Sequence, residues 1–432
     1  MKRRARILAG LLACLMLAGC NGFLGSRASM EELLRAPQLA GDYGMIQSAL
    51  NEWLGESAQL KYPLSGELVS PFLMSDYDGD GVQDAAVLYT TSGTPNVCLA
   101  LLQRDTEGKW KVKDAIEGLT ESVDSVRFAH LQEGGADQIV LGYAASPEEY
   151  YLAVYSYADG QILSILEQPC EQYLIEQITS KSCEDLILMG TSEEGGVQIE
   201  LLTSDREGGF RQVAVMGLFP DRFVGCASLA AGVGADGGQY LVLDGWTGVS
   251  GTNLASVLLR FNEETQQMEP AQQIGTNELY EASFRNVSTL ISQDLDGDGV
   301  VEIPTQPEEA GLLNMSQGRR MDFIVWMDYT SPQPQKSFGL LDEEMGYYLE
   351  LPMEWEGNLL LTDSTEYENA VELRSLDGEQ LYMTVRIAGT AESSVGWTRL
   401  GVIASRQIQA RLEPDAVIED PLYRLSRSLY IL

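Results

Sequence analysis

The chain has 432 residues, 44% hydrophobic and 21% charged, the profile of an ordinary globular protein long enough for two folded units. Its 64 acidic and 28 basic residues give a formal charge of −36, which nucleic acid and anionic membrane surfaces would repel, so nucleic-acid partners are excluded. His130 is the single histidine, which removes most histidine-based chemistry, and no Gly-x-Ser-x-Gly elbow, His-Glu-x-x-His or phosphate-binding glycine loop occurs.

At the N-terminus a basic cluster, Lys2 to Arg6, precedes the apolar run Ile7 to Leu17. That run suits a signal-peptide core and is too short to span a membrane comfortably. It leads into Leu17-Ala18-Gly19-Cys20, which resembles the lipobox of bacterial lipoprotein signal peptides. The resemblance implies cleavage before Cys20, a diacylglycerol thioether on its sulfur, and an extracytoplasmic protein anchored to the cell membrane through Cys20. Residues 1–19 hold four basic groups (Lys2, Arg3, Arg4, Arg6) and no acid, so their loss would take the charge from −36 to −40. Cys98, Cys170, Cys183 and Cys226 remain as thiols; their spacings match no disulfide framework, and buried free thiols on strands are the expectation. Among pairs, Cys170 with Cys183 would close the shortest loop.

Residues 20–29 read as a small, polar tether and residues 30–56 as a helical segment. Asp42 offers an N-cap, and Ile46, Ala49, Leu50, Trp53 and Leu54 follow at helical spacing, an apolar stripe expected to pack on what comes next.

Two acidic loops punctuate the rest of the chain. In Asp76-Tyr77-Asp78-Gly79-Asp80-Gly81-Val82-Gln83-Asp84, the carboxylates of Asp76, Asp78, Asp80 and Asp84 and the carbonyl of Val82 stand at positions from which they can converge on one hard cation. The pattern returns in Asp294, Asp296, Asp298, the Val300 carbonyl and Glu302. Gly81 and Gly299 supply the sharp turn at the sixth position. Two structural Ca2+ sites are the expectation; an acidic turn that merely solvates a hairpin is the alternative. A helix-loop-helix hand is not expected, because its twelfth-position glutamate is replaced by Val87 and Thr305, and the run Ala85 to Thr91 reads as a strand.

With the first loop as a ruler, comparable strands begin at Ala85, Ile139, Leu186, Tyr240 and Ile303, each preceded by an acid or amide: Asp84, Gln138, Asp185, Gln239 and Glu302. Units of about 50 residues with four short strands each are the arithmetic of β-propeller blades. The expected fold is therefore mainly β: a propeller of about five blades over residues 57–345, or six if residues 56–70 help to build another, after a short helical region. The acidic loops are similar to those of FG-GAP and VCBS-type propeller repeats. Together with the lipobox, Glu32-Leu33-Leu34-Arg35-x-Pro37 and Lys61-Tyr62-Pro63-x-x-Gly66, the chain resembles exported, propeller-bearing lipoproteins of clostridia-like bacteria. The middle repeats depart from the pattern, with His130, Gln132 and Gly134 in the second and no acid ladder in the third and fourth, so calcium is carried over to the outer two loops only.

Residues 346–432 read as a small separate β domain, with strands around 347–352, 358–361, 370–373, 381–387, 397–404 and 408–412. Trp355 and Trp397 are expected in its packing rather than on its surface. Asp244-Gly245-Trp246-Thr247-Gly248-Val249-Ser250-Gly251 sets an acid and an aromatic among glycines, and Asp244 and Trp246 are the candidate ligand residues against an ordinary hairpin connection. Two functions follow from these features. One is a non-enzymatic, calcium-stabilised cell-surface module binding an extracellular protein or glycan; the other is a carbohydrate-active or other hydrolase using carboxylates on the propeller face.

Overall fold

The computed structural model describes residues 41–432 apart from 134–135, 147–148, 180–181, 193–195, 206–207, 219–221, 249–250, 272–274, 316–318, 391, 417 and 421–422. The lipobox, Cys20, the tether and the first part of the helical segment lie outside the described residues. What remains is mainly β, with two α-helices, α1 (Asp42–Leu54) and α2 (Thr276–Ala282).

Strands follow one another into successive sheets. The first sheet holds β1 (Gln59–Leu60), β2 (Phe72–Ser75), β3 (Asp84–Thr90), β4 (Cys98–Arg104) and β5 (Trp110–Glu117). Three four-stranded antiparallel sheets come next: β6 (Val123–Ala129) to β9 (Gln161–Pro169), then β10 (Gln172–Glu176) to β13 (Phe210–Leu218), then β14 (Phe223–Val233) to β17 (Gln267–Pro270). Within them β7 (Gln138–Ser146), β11 (Asp185–Thr191) and β15 (Gln239–Thr247) are the second strands, followed by β8 (Glu149–Ala158), β12 (Val197–Ser204) and β16 (Asn253–Asn262). The expected starts at Ala85, Ile139, Leu186 and Tyr240 therefore fall at the heads of β3, β7, β11 and β15, while the fifth, Ile303, opens β18 (Ile303–Thr305), a three-residue strand at the edge of the fifth sheet. Residues 56–70 found no further sheet; β1 instead shares the edge of β3 with β2.

Period-two alternation stacks these sheets face to face. On β3, Ala86 and Leu88 point to the second sheet, where they meet Ile139 and Leu141. Val140, between those two, faces the third sheet and packs with Leu186 and Leu188. Ile187, Ile199 and Leu201 then face Leu241, Leu243 and Val257 of the fourth. The other face of β3, Ala85, Val87 and Tyr89, is covered by α1 through Ile46 and Leu50. Each of those two fully buried side chains contributes about 1.5–3 kcal/mol. Asp42 is the first helical residue rather than the cap, which is Gly41. The helix ends at Gly55, whose left-handed backbone lets its N–H reach the Asn51 carbonyl, and Trp53 points outward.

The C-terminal third departs from the expected division at residue 345. The fifth sheet runs β18, β20 (Met321–Met327), β21 (Gln335–Asp342), β22 (Tyr347–Leu351), β28 (Leu429–Ile431). The 345/346 boundary thus cuts the hydrogen-bonded β21–β22 hairpin. The sixth sheet has the order β19 (Leu312–Asn314), β23 (Leu359–Asp363), β24 (Ala370–Ser375), β25 (Leu381–Gly389), β27 (Arg406–Leu412), β26 (Thr398–Ile403), with β19 borrowed from the fifth repeat and parallel to β23. Phe323, Val325 and Leu340 of the fifth sheet share one core with Leu361, Leu373 and Val385 of the sixth. A small independent domain would need a core of its own; this one is joint, and that is why the division fails.

Cys98, Cys170, Cys183 and Cys226 are free thiols; the expected burial on strands holds for Cys98 and Cys226, whereas Cys183 is buried in a loop and Cys170 is half-buried between β9 and β10. Trp355 is buried and stacks on Tyr382 at 5.2 Å, and Trp397 lies 4.2 Å below the Arg386 guanidinium.

Candidate functional site

The two acidic loops fold alike. Asp76 accepts hydrogen bonds at Oδ1 from the N–H groups of Gly79 (2.8 Å) and Asp80 (3.1 Å) and at Oδ2 from Gly81 (2.8 Å). Asp294 accepts from Gly297 (2.7 Å), Asp298 (3.1 Å) and Gly299 (2.8 Å). The third-position acids, Asp78 and Asp296, accept from the N–H two residues on, and so do Asp80 and Asp298. All four loop glycines have positive φ, between 75° and 91°, where a Cβ would be strained. Carboxylate oxygens of Asp76, Asp78 and Asp84 lie within 4.8 Å of one another, and those of Asp294, Asp296 and Asp298 do the same.

The ninth-position acid has a task the sequence did not reveal. Asp84 Oδ2 accepts the N–H of Tyr77 (3.2 Å), and Glu302 Oε2 accepts that of Leu295 (2.8 Å). The same seven-residue reach recurs where no metal pattern exists. Gln138 Oε1 takes the N–H of Leu131 (2.8 Å), and Asp185 Oδ2 takes that of Ile178 (3.0 Å) and also, six residues back, that of Thr179 (2.6 Å). The acid or amide heading each of these strands therefore clamps the loop before it, with or without an ion. In the fourth repeat Asp236 substitutes, accepting from Gly238 N–H and the Tyr240 hydroxyl. The regular acid-or-amide position was the signal; its hydrogen bond was not legible.

The loops differ in what reaches into them. In the first it is the Gln103 amide from the end of β4, 2.7 Å from Asp78 Oδ2 and 3.2 Å from Asp84 Oδ2. In the second it is the Lys336 ammonium from the start of β21, 2.5 Å from Glu302 Oε1, 2.8 Å from Asp298 Oδ2 and 3.4 Å from Asp296 Oδ2. Burial pushes the Asp84 carboxyl up, against the opposing pull of Gln103 and the Tyr77 N–H, and Asp78 and Asp80 add to the rise. Burial also raises Glu302, although Lys336 pulls it back. Asp298, bonded to Lys336, is held below its usual value, while burial of Lys336 is outweighed by Asp298 and Glu302, which hold the ammonium charged. An all-oxygen donor set with a neutral amide beside it fits a hard divalent cation at the first loop; at the second an ammonium already bridges three of the donors.

Asp244 and Trp246 are not a ligand loop. Both lie on β15, and Asp244 is fully buried against the fully buried Arg285 (2.8 Å). Its carboxylate also accepts from Ser256 Oγ (2.5 Å), Ser228 Oγ (2.9 Å), and Ser292 N–H (2.5 Å) and Oγ (2.8 Å). Gly245 is small because the Phe223 ring leaves no room, a Cβ there falling 2.4 Å from Cδ1, and Trp246 is half-buried beside Gly225. Arg285 lies in a distant segment, and it turns an apparent surface acid into an internal ion pair. Val249 and Ser250 lie outside the described residues.

His130 sits in the second loop, its N–H bonded to Glu184 and its Nδ1 3.6 Å from Asp137. A cleft of about 480 Å³ on the sixth sheet is lined by Glu354, Trp355, Asp377, Tyr382 and Glu419 among others. Asp377 there is held below the usual carboxylate range by the Ser375 hydroxyl and the Glu379 N–H, the opposite of what a general acid requires.

No known protein family matches the sequence, and no curated protein is similar to it. Among solved structures, one described as the structure of the Dos1 propeller is similar over 80% of this chain and 67% of that chain, with 8% identity and a TM-score of 0.32.

Proposed function

We propose that this chain is a non-enzymatic, cell-surface lipoprotein, anchored through Cys20. Its propeller-like row of stacked blades holds calcium at the Asp76–Asp84 loop and presents its faces to an extracellular protein or glycan. The observation that carries the reading is the convergence of Asp76, Asp78 and Asp84 oxygens within 4.8 Å on a glycine-shaped loop between two strands. The sequential stacking of four- and five-stranded sheets supports the blade description, with α1 covering the first blade's free face in place of a further blade. The strongly negative surface is the natural companion of a divalent cation rather than of nucleic acid.

The test is a thermal melt of the full chain in EDTA and in millimolar calcium, beside Asp78→Ala. An ion at 100 times its Kd adds about 2.7 kcal/mol of stability by mass action. A calcium-dependent rise in the midpoint, absent in Asp78→Ala, is expected; identical melts in EDTA and calcium would overturn the metal assignment.

A further inference from the structure

We infer that the second acidic loop carries its own cation: the Lys336 ammonium occupies the place of a divalent ion, so Asp294–Glu302 is a lysine-closed copy of the ion-binding loop. The contrast, though not the lysine closure itself, rests on the reading of the first loop as a calcium site. Because the backbone hydrogen bonds of the two loops match, the difference lies in the side chain delivered from the neighbouring strand.

Calcium binds oxygen at about 2.3–2.6 Å. Lys336 Nζ already stands 2.5 Å from Glu302 Oε1 and 2.8 Å from Asp298 Oδ2, so an ion bound to those oxygens would overlap a group of like charge. An ammonium has three donors and no acceptor, so no rotation turns it into a ligand. Expelling it would also leave Glu302, 1% exposed, without its cation. At the first loop the equivalent intruder behaves differently. A half-turn of the Gln103 amide exchanges Nε2 for Oε1 and converts a donor to the loop into an oxygen ligand for an ion. The ninth position follows the same division, with Asp84 in the first loop and the longer Glu302, which reaches Lys336, in the second.

The experiment is calcium titration calorimetry on the full chain, comparing wild type with Lys336→Gln, Lys336→Arg, Asp78→Ala and Asp296→Ala, with circular dichroism as the folding control. One site is expected in wild type, lost in Asp78→Ala and unaffected in Asp296→Ala. Lys336→Gln should show two sites, the new one tighter by at least about tenfold than any residual binding at that loop in wild type. Lys336→Arg keeps the charge and should still show one, which preserves the comparison if the glutamine variant folds poorly. Two sites in wild type, or a single site in both wild type and a folded Lys336→Gln, would overturn the inference while leaving calcium at the first loop intact. No site in wild type but one in Lys336→Gln would support lysine closure and refute the first loop; no binding in either refutes both.

Discussion

Replacing Asp244 by Asn should be among the most damaging single changes in this chain. Asp244 and Arg285 are both fully buried, and the carboxylate is held by Arg285, Ser228, Ser256 and Ser292 together. Arg285 is fixed in turn by the carbonyls of Leu290 (2.6 Å) and Ser283 (2.9 Å). Asparagine keeps the shape but removes the charge, leaving a guanidinium inside the protein without its anion, a loss of about 3–5 kcal/mol. With unfolding entropy near 2.1 cal/mol/K per residue, a 432-residue chain melting as one unit has roughly 0.9 kcal/mol/K, so Tm should fall by roughly 3–6 °C. Arg285→Gln should do comparable damage, and the double variant should be less harmful than the sum. The network depresses the Asp244 pKa against the opposing effect of burial, so its stabilisation is complete above the unfolded value of about 4 and is lost as pH falls through the folded one. The assay is a melt followed by circular dichroism from pH 7 to pH 3. Single variants melting within a degree of wild type at pH 7, or additive losses in the double variant, would refute the reasoning.

Three further outcomes follow. Asp185→Ala strands the buried N–H groups of Ile178 and Thr179 and should cost on the order of 2–4 kcal/mol in urea unfolding, with Asp185→Asn recovering part because its carbonyl can still accept. Burial and the hydrogen bond and charge of Glu343 push the Asp322 carboxyl up to about 6, so its favourable protonated state is lost as pH rises from about 4 through that value. Asp322→Asn should accordingly melt higher than wild type at pH 7 and equal to it near pH 4. Gly245→Ala drives a methyl into the Phe223 ring and should destabilise by about 1–3 kcal/mol, measured by the same unfolding curves.

What the sequence displayed was whatever is local. The glycines of the two acidic loops, the acid or amide before each strand and the turn spacing all act within ten residues, and the strand heads at Asp84, Gln138, Asp185 and Gln239 stand where they were read. What it hid was distant. Asp244 looks like a loop acid until Arg285 and Ser292 arrive from another segment, and nothing near Lys336 announces that its ammonium ends between Asp298 and Glu302. The 345 boundary failed for the same reason, since β19 and β28 pair with strands far along the chain and leave no trace in the periodicity of their own three residues.

The return of β28 makes the sixth sheet an excursion between two neighbouring strands of the fifth. Leu349 pairs with Leu429, and all of β23 to β27 lies on the chain between them. Such an arrangement works as a clasp. A single proteolytic cut between Glu413 and Ala416 would leave the C-terminal piece held through the β22–β28 ladder, while the sixth sheet stays joined to the fifth through the core around Phe323 and Leu373. The closing contact spans a long stretch of chain, whose entropic cost grows only as the logarithm of its length, so the clasp adds little thermodynamic burden. Its consequence is kinetic: the edge of the fifth sheet stays open to foreign strands until the final segment has docked.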